Sequence, residues 1–190
     1  MRISDDRYSR DRFRLDLALR FMRHEARTHT IRKWTGLSDD RIRKLYREYL
    51  ERTRTQVSRH RGKSPAQASY FIRTPRVQQE SAVLASLYCM LGALPVALVA
   101  DVDPPVPGVA RGERLCQAFE AYLTFVQNSQ ITFEHAVLLI NELARGVEIR
   151  LGDCMVCGGL VVVDGLSVRD VRCSRCAEPS PLHCQSTGLG

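Results

Sequence analysis

Residues 28–50 read THTIRKWTGLSDDRIRKLYREYL, and this stretch decides the fold of the first third of the chain. The spacing of its apolar residues predicts a short helix from about Thr28 to Trp34, followed by a turn at Thr35–Leu37. Ser38 is a favourable N-cap for a second helix, and two aspartates follow it where the helix dipole favours negative charge. Two helices joined by a short turn that contains glycine form a helix-turn-helix outline.

The second helix of this segment carries outward-facing basic side chains. If it lies in the major groove of DNA, four cations are candidates for contacts with bases or phosphates: Arg41, Arg43, Lys44 and Arg47. Three further candidates lie on or just before the preceding helix: Arg27, Arg32 and Lys33. An ordinary basic helical hairpin has the same pattern, and Asp39 and Asp40 would repel phosphate. DNA binding and a plain hairpin therefore both remain open at this point.

The charge of the chain is concentrated at one end. The 190 residues have a net charge of +7, of which residues 1–63 contribute +10 and the remainder −3. A basic first third joined to a slightly acidic remainder is typical of a surface that binds a polyanion. The charged N-terminus lacks the apolar core of a signal peptide, so we expect a cytoplasmic protein, nucleoid-associated when bound to DNA.

Helical periodicity continues through most of the chain. It predicts a first amphipathic helix over about Arg7–Arg27, and later helices over about Glu113–Gln127 and Thr132–Arg145. Ser81–Ala100 contains no charged residue, and its length would admit a membrane span. Gly92, a proline and two serines favour instead a helix that is buried in the core or against a partner.

Cys154-Met-Val-Cys157 and Cys173-Ser-Arg-Cys176 form two CxxC pairs separated by fifteen residues. This spacing is typical of a four-thiolate zinc site, since both thiolates of each pair can reach one tetrahedral ion. Four protein ligands leave no open position, so we expect one structural Zn²⁺. The alternative is a set of buried or redox-active thiols.

The sequence between the two pairs predicts a β-hairpin over residues 159–172, with its turn at Asp164-Gly165. The expected fold is mainly α, with a helical domain that contains the helix-turn-helix-like segment and a small C-terminal zinc ribbon with four cysteine ligands. The expected boundaries are 1–150 for the helical domain that binds DNA and a partner, 151–177 for the ribbon and 178–190 for a flexible tail.

Three stretches together resemble the flagellar transcriptional activator FlhC family: TGLSDDRIRKLYREYL (35–50), SAVLASLYCMLGAL (81–94), and CMVCGG followed by CSRC. The resemblance implies a subunit that joins FlhD in a hetero-oligomer, a heterohexamer, and binds promoters of flagellar operons. It also implies recruitment of RNA polymerase to activate transcription, and zinc ligation by Cys154, Cys157, Cys173 and Cys176.

The sequence lacks the features that an enzymatic function would require. A thiol-disulfide oxidoreductase would need a βαβ context around one CxxC pair, which the sequence does not indicate, and the histidines are too scattered for a catalytic cluster. We therefore expect no enzymatic activity. A non-catalytic adaptor that binds only protein partners, or an RNA-binding zinc-ribbon protein, remains the alternative to a DNA-binding activator.

Overall fold

The computed structural model describes residues 3–53, 63–94, 107–167 and 171–177. Over these ranges the chain is mainly helical with one small antiparallel sheet, which confirms the predicted fold class. The helices are α1 Ile3–Arg23, α2 Thr28–Thr35, α3 Asp39–Thr53, α4 Pro75–Met90, α5 Val109–Phe125, α6 Phe133–Arg145 and α7 Ser174–Ala177; a short 3₁₀ helix spans Ala68–Ile72, and the strands are β1 Ile149–Asp153 and β2 Leu160–Asp164.

The first three helices form one packed unit, because α1 contacts both α2 and α3. The turn between α2 and α3 depends on Gly36, which has a left-handed φ of 69° and donates its N–H to the Arg32 carbonyl at 2.8 Å. Ser38 Oγ accepts the Arg41 N–H at 3.4 Å, which confirms the predicted N-cap. Ile31, Leu37 and Ile42 are buried in the hydrophobic core, and Leu45 of α3 packs against this core while partly buried.

A continuous hydrophobic core joins this unit to α4, α5 and α6. Phe133 of α6 lies at its centre, with ring centroids 4.9 Å from Phe21 and 5.3 Å from Phe119 in edge-to-face contacts. Gly112 allows α5 to approach α1 closely, since a Cβ at this position would lie 2.6 Å from a methyl carbon of Leu17. Tight packing therefore fixes the position of the three-helix unit on the rest of the molecule.

Several details of the helices differ from the predictions. The α1 helix spans Ile3–Arg23 instead of about Arg7–Arg27, and α5 begins at Val109 instead of about Glu113. The central helix begins at Pro75, with Thr74 as its N-cap, and ends at Met90, whereas the uncharged stretch predicts helix as far as Ala100. Gly92 follows with a left-handed φ of 66°, and residues 95–100 lie outside the described ranges. Phe13 is 60% exposed although it continues the apolar stripe of α1, because the core begins only at Leu17.

The predicted hairpin is displaced along the sequence. Asp164-Gly165 is not the hairpin turn: β2 ends at Asp164, and β1, its antiparallel partner, lies before the first CxxC pair. The strands are joined through residues 154–159, so the hairpin loop carries the first two cysteines. The prediction failed because Ile149–Asp153 lacks the β-branched run that marks β2, and it forms a strand through pairing with those valines. The predicted tail, 178–190, lies outside the described residues.

None of the helices in the described ranges is long and apolar enough to span a membrane.

Candidate metal centre and nucleic-acid interface

The structure brings the four predicted cysteine ligands together. The sulfur atoms of Cys154, Cys157, Cys173 and Cys176 all lie within 4.8 Å of one another, and none is in a disulfide. A tetrahedral ion about 2.3 Å from each thiolate would place the sulfurs roughly 3.8 Å apart. The measured distance between Cys157 Sγ and Cys173 Sγ is 3.8 Å. The cluster therefore fits a single metal ion in size and in ligand type.

The backbone around the first pair is folded for ligation. Gly158 adopts a left-handed φ of 67° and donates its N–H to the Cys154 carbonyl at 2.8 Å. A Cβ on Gly159 would lie 3.3 Å from the Cys157 sulfur, so the loop turns back with little room beside that ligand. The second pair lies at the start of α7, whose first turn holds Cys173 and Cys176 on the same side.

Without a metal, the pKa values of the Cys154 and Cys176 thiols are shifted in opposite directions. N–H groups of Cys173, Cys157 and Val156 lower the pKa of Cys154 to about 6. Hydrogen bonds from the Cys176 thiol to the Cys173 and Cys157 sulfurs raise the pKa of Cys176 to about 12. A coordinated cation removes the protons from its thiol ligands, so metal binding here releases protons.

The ribbon is anchored to the helical core through alternate residues of β2. Val161 and Val163 pack around Cys154, while Val162, on the opposite face, is fully buried in the main core. Gln78 of α4 also donates its side-chain amide to the Val162 carbonyl at 3.0 Å. Metal binding and the stability of the helical core are therefore physically linked.

Several of the predicted DNA-contacting cations are exposed but form ion pairs. Both terminal nitrogens of Arg41 contact the Asp11 carboxylate of α1. The other pairs are local and involve acidic residues of α3: Arg43 with Asp40 at 3.0 Å, Arg32 with Asp39 at 3.6 Å and Lys44 with Glu48 at 3.8 Å.

The three remaining candidates for contact with DNA differ in how far they are buried. Lys33 and Arg47 are exposed and form no ion pair with any residue that the structure describes. Arg27 is only half-exposed, and its backbone N–H donates to Glu134 Oε1 at 2.8 Å. Arg27 thus lies at the start of α2, on the side that faces α6 and not on the outer face of α3.

Glu134 holds the start of α2 in place, a role that the sequence does not predict. This carboxylate on α6 is only 8% exposed, and besides the Arg27 N–H it accepts the Thr30 hydroxyl at 3.0 Å. It caps the N-terminus of α2 from a distant helix, where the helix dipole favours an anion. Its position in the chain, over 100 residues from α2, leaves no local sequence signal.

Comparison with known proteins does not identify a family for this chain. No protein-family model matches the chain, and no curated protein matches it either. The likeness to the FlhC family therefore depends on the chain's own motifs.

Proposed function

We propose that this chain is the DNA-binding subunit of an FlhC-type transcription activator, acting with FlhD at promoters of flagellar operons in the cytoplasm. The observation that supports the proposal is the three-helix unit α1–α3. Its third helix packs through one face and carries exposed cations on the other: Arg41, Arg43, Lys44 and Arg47. A helix supported in this way can enter the major groove while its partner helices contact the backbone.

The ion pairs on α3 are compatible with this role. Exposed ion pairs contribute little to stability, roughly 0–1 kcal/mol each, so a DNA phosphate can replace a carboxylate as the partner of an arginine. Asp39 and Asp40 then oppose binding, and Lys33 and Arg47, which have no ion pair within the described ranges, are the first expected to meet the phosphate backbone. Positive charge would supply affinity, and contacts from α3 to base edges would supply specificity.

The metal in this proposal is a structural Zn²⁺. Four thiolates at tetrahedral spacing are typical of zinc, and a closed ligand set supplies folding energy and not catalysis. Cys154, Cys157, Cys173 and Cys176 would hold the ion, and no enzymatic role is proposed.

The partner surface in this proposal is the outer side of α4. Ala82, Val83 and Leu87 are only half-buried, and Met90, at the end of the helix, is 80% exposed. No charged residue interrupts this side between residues 81 and 90. Burial of such a surface against FlhD would give a hetero-oligomer, which then recruits RNA polymerase.

The test is fluorescence anisotropy on a labelled flagellar-promoter duplex, with zinc-loaded protein and FlhD, over a salt series and against scrambled competitor. Specific binding should survive the competitor and weaken steeply as salt increases. Arg47→Gln should reduce affinity and lower the magnitude of the salt slope by about 1 if the side chain contacts one phosphate.

Arg114→Gln is the matched control, since Arg114 is exposed on α5 and contacts the Gly92 carbonyl. It removes the same charge away from α3 and should leave both quantities unchanged. Equal loss in both variants, or equal binding to scrambled DNA, would contradict base-specific recognition by α3. Absence of any DNA binding would favour the adaptor, and preference for single-stranded RNA would favour the RNA-binding alternative.

A further inference from the structure

The N-terminal half of α1 extends beyond the hydrophobic core. One face of the helix is buried from Leu17 onwards, whereas residues 8–16 are exposed or only partly buried. Arg14 lies three residues before Leu17 and Arg10 lies four residues before Arg14, so both continue this face of the helix. Both are exposed, and Arg14 forms no ion pair with any residue that the structure describes. The face of α1 that packs in the core therefore continues outside it as a basic surface.

The same end of α1 lies against α3. Asp11 accepts hydrogen bonds from both terminal nitrogens of Arg41. Arg14 follows Asp11 by three residues and is its neighbour on the surface of the helix. Hydrogen bonding to Arg41 lowers the pKa of Asp11, and the charge of Arg14 lowers this pKa further, as expected for a carboxylate close to both cations. Arg14 and Arg41, from two different helices, therefore flank one negative group.

The ion pair between Asp11 and Arg41 is open to solvent. The two side chains are 41% and 48% exposed, and an exposed ion pair contributes little to stability. An anion from solution can therefore replace the carboxylate as the partner of Arg41. A phosphate group suits this position, because its oxygens can accept hydrogen bonds from two guanidinium groups at once. Lys44 and Arg47 are exposed further along α3, so a ligand that carries many phosphates can contact all four cations.

We propose that Arg14 and Arg41 together bind one phosphate of duplex DNA, which replaces the Asp11 carboxylate as the acceptor between them. This inference rests on the DNA-binding function proposed above, and it names the contact by which α1 takes part in that function. With α3 in the major groove, this phosphate lies at the edge of the groove, where the first helix of such a unit crosses the backbone. The contact carries no sequence information, so it supplies affinity and fixes the orientation of α3.

A scan of the DNA backbone tests this contact. Each labelled flagellar-promoter duplex carries one uncharged methylphosphonate in place of a phosphate, and anisotropy gives its affinity for the zinc-loaded protein with FlhD. Replacement of a contacted phosphate should weaken binding. At one position this loss should shrink in both Arg14→Gln and Arg41→Gln, because each variant already lacks one of the two cations. Arg14→Gln should also weaken binding to the unmodified duplex, by about three- to tenfold.

Arg23→Gln is the matched control for Arg14→Gln. Arg23 lies nine residues after Arg14 on the same helix, and at about 100° per residue it is on the opposite side. Like Arg14, it is exposed and forms no ion pair within the described ranges. Arg23→Gln should leave the affinity and the phosphate scan unchanged. Both variants should keep the thermal midpoint of the unaltered chain, so that a loss of binding reports on the contact and not on folding.

Failure of this inference differs from failure of the proposed function. The phosphate contact of α1 is overturned, and DNA binding by α3 stands, if Arg47→Gln weakens promoter binding while Arg14→Gln behaves like Arg23→Gln. The contact is also overturned if Arg14→Gln and Arg41→Gln change the scan at different phosphates. If the unaltered complex binds no DNA, the proposed function fails and this inference fails with it.

Discussion

Arg41 of α3 and Asp11 of α1 form a two-point ion pair, with Nη1–Oδ1 at 3.2 Å and Nη2–Oδ2 at 2.8 Å. Hydrogen bonding to Arg41 lowers the pKa of Asp11 below its ordinary value, so the carboxylate is charged at neutral pH. The guanidinium that the sequence predicts as a DNA contact is thus held by the first helix. Asp11 therefore competes with DNA for Arg41.

We expect Asp11→Asn to strengthen binding to duplex DNA by about two- to fivefold at moderate salt, because it releases Arg41 for phosphate. The measurement is the anisotropy titration described above. Asp16→Asn is the control, since Asp16 is exposed on the same helix and pairs with Arg12 at 3.8 Å. If the two variants strengthen binding equally, the effect is one of net charge and not of Arg41.

Replacement of Cys157 by serine should abolish stoichiometric metal binding, because three thiolates and a hydroxyl hold zinc far less tightly than four thiolates. The thermal midpoint should also fall, since Val162 of the ribbon is part of the helical core. Metal content by mass spectrometry and thermal unfolding by circular dichroism check both points. Cys89→Ser, on α4 and outside the cluster, should keep one metal ion per chain; its loss there would contradict the assigned ligands.

Glu134→Gln should destabilise the protein by about 1–3 kcal/mol, because a buried charged acceptor is lost at the N-terminus of α2. Urea unfolding measures the change in free energy. The exposed Glu148 supplies the control, Glu148→Gln, for which no change beyond about 0.5 kcal/mol is expected. An unchanged midpoint for Glu134→Gln would show that α2 does not need the cap from α6.

Glu120 should make stability depend on pH in the acid range. Hydrogen bonds from Arg20 and His24 lower its pKa from 4.5 to about 2, against the opposing effect of burial. A depressed pKa contributes stability above the unfolded-state value, and this contribution is lost as pH falls from about 4.5 towards 2. Urea unfolding at several pH values should therefore show a shallower acid decline for Glu120→Gln than for the unaltered chain.

The informative quantity is the difference in unfolding free energy between Glu120→Gln and the unaltered chain at each pH. Acid also displaces metal from the cysteines, and it does so in both chains. Identical acid profiles would mean that Glu120 and Arg20 interact no more strongly in the folded state than in the unfolded state. Since the Glu120 side chain is 42% exposed, solvent screening keeps the expected difference modest.

Local signals in the sequence were sufficient for the boundaries of α2, α3 and α6, but not for those of α1 and α4 or for the start of α5. Thr132, where the predicted helix begins, is the N-cap of α6, and Gly146, which follows its predicted end, is the C-cap. Gly36 and Ser38 likewise mark the turn before α3. These signals succeed because a helix end is determined by residues within one turn of it, through caps and left-handed glycines. The four cysteines were predictable for the same reason, since each CxxC pair encodes half of a tetrahedral site.

Tertiary structure alone decided which residues meet from distant parts of the chain. The sequence indicated a strand at Leu160–Asp164 but not its partner, because Ile149–Asp153 becomes a strand only by pairing with it. The same holds for the Arg41–Asp11 ion pair and for the cap that Glu134 provides to α2. Each depends on how helices pack in three dimensions, and packing joins residues whose separation along the chain carries no local pattern.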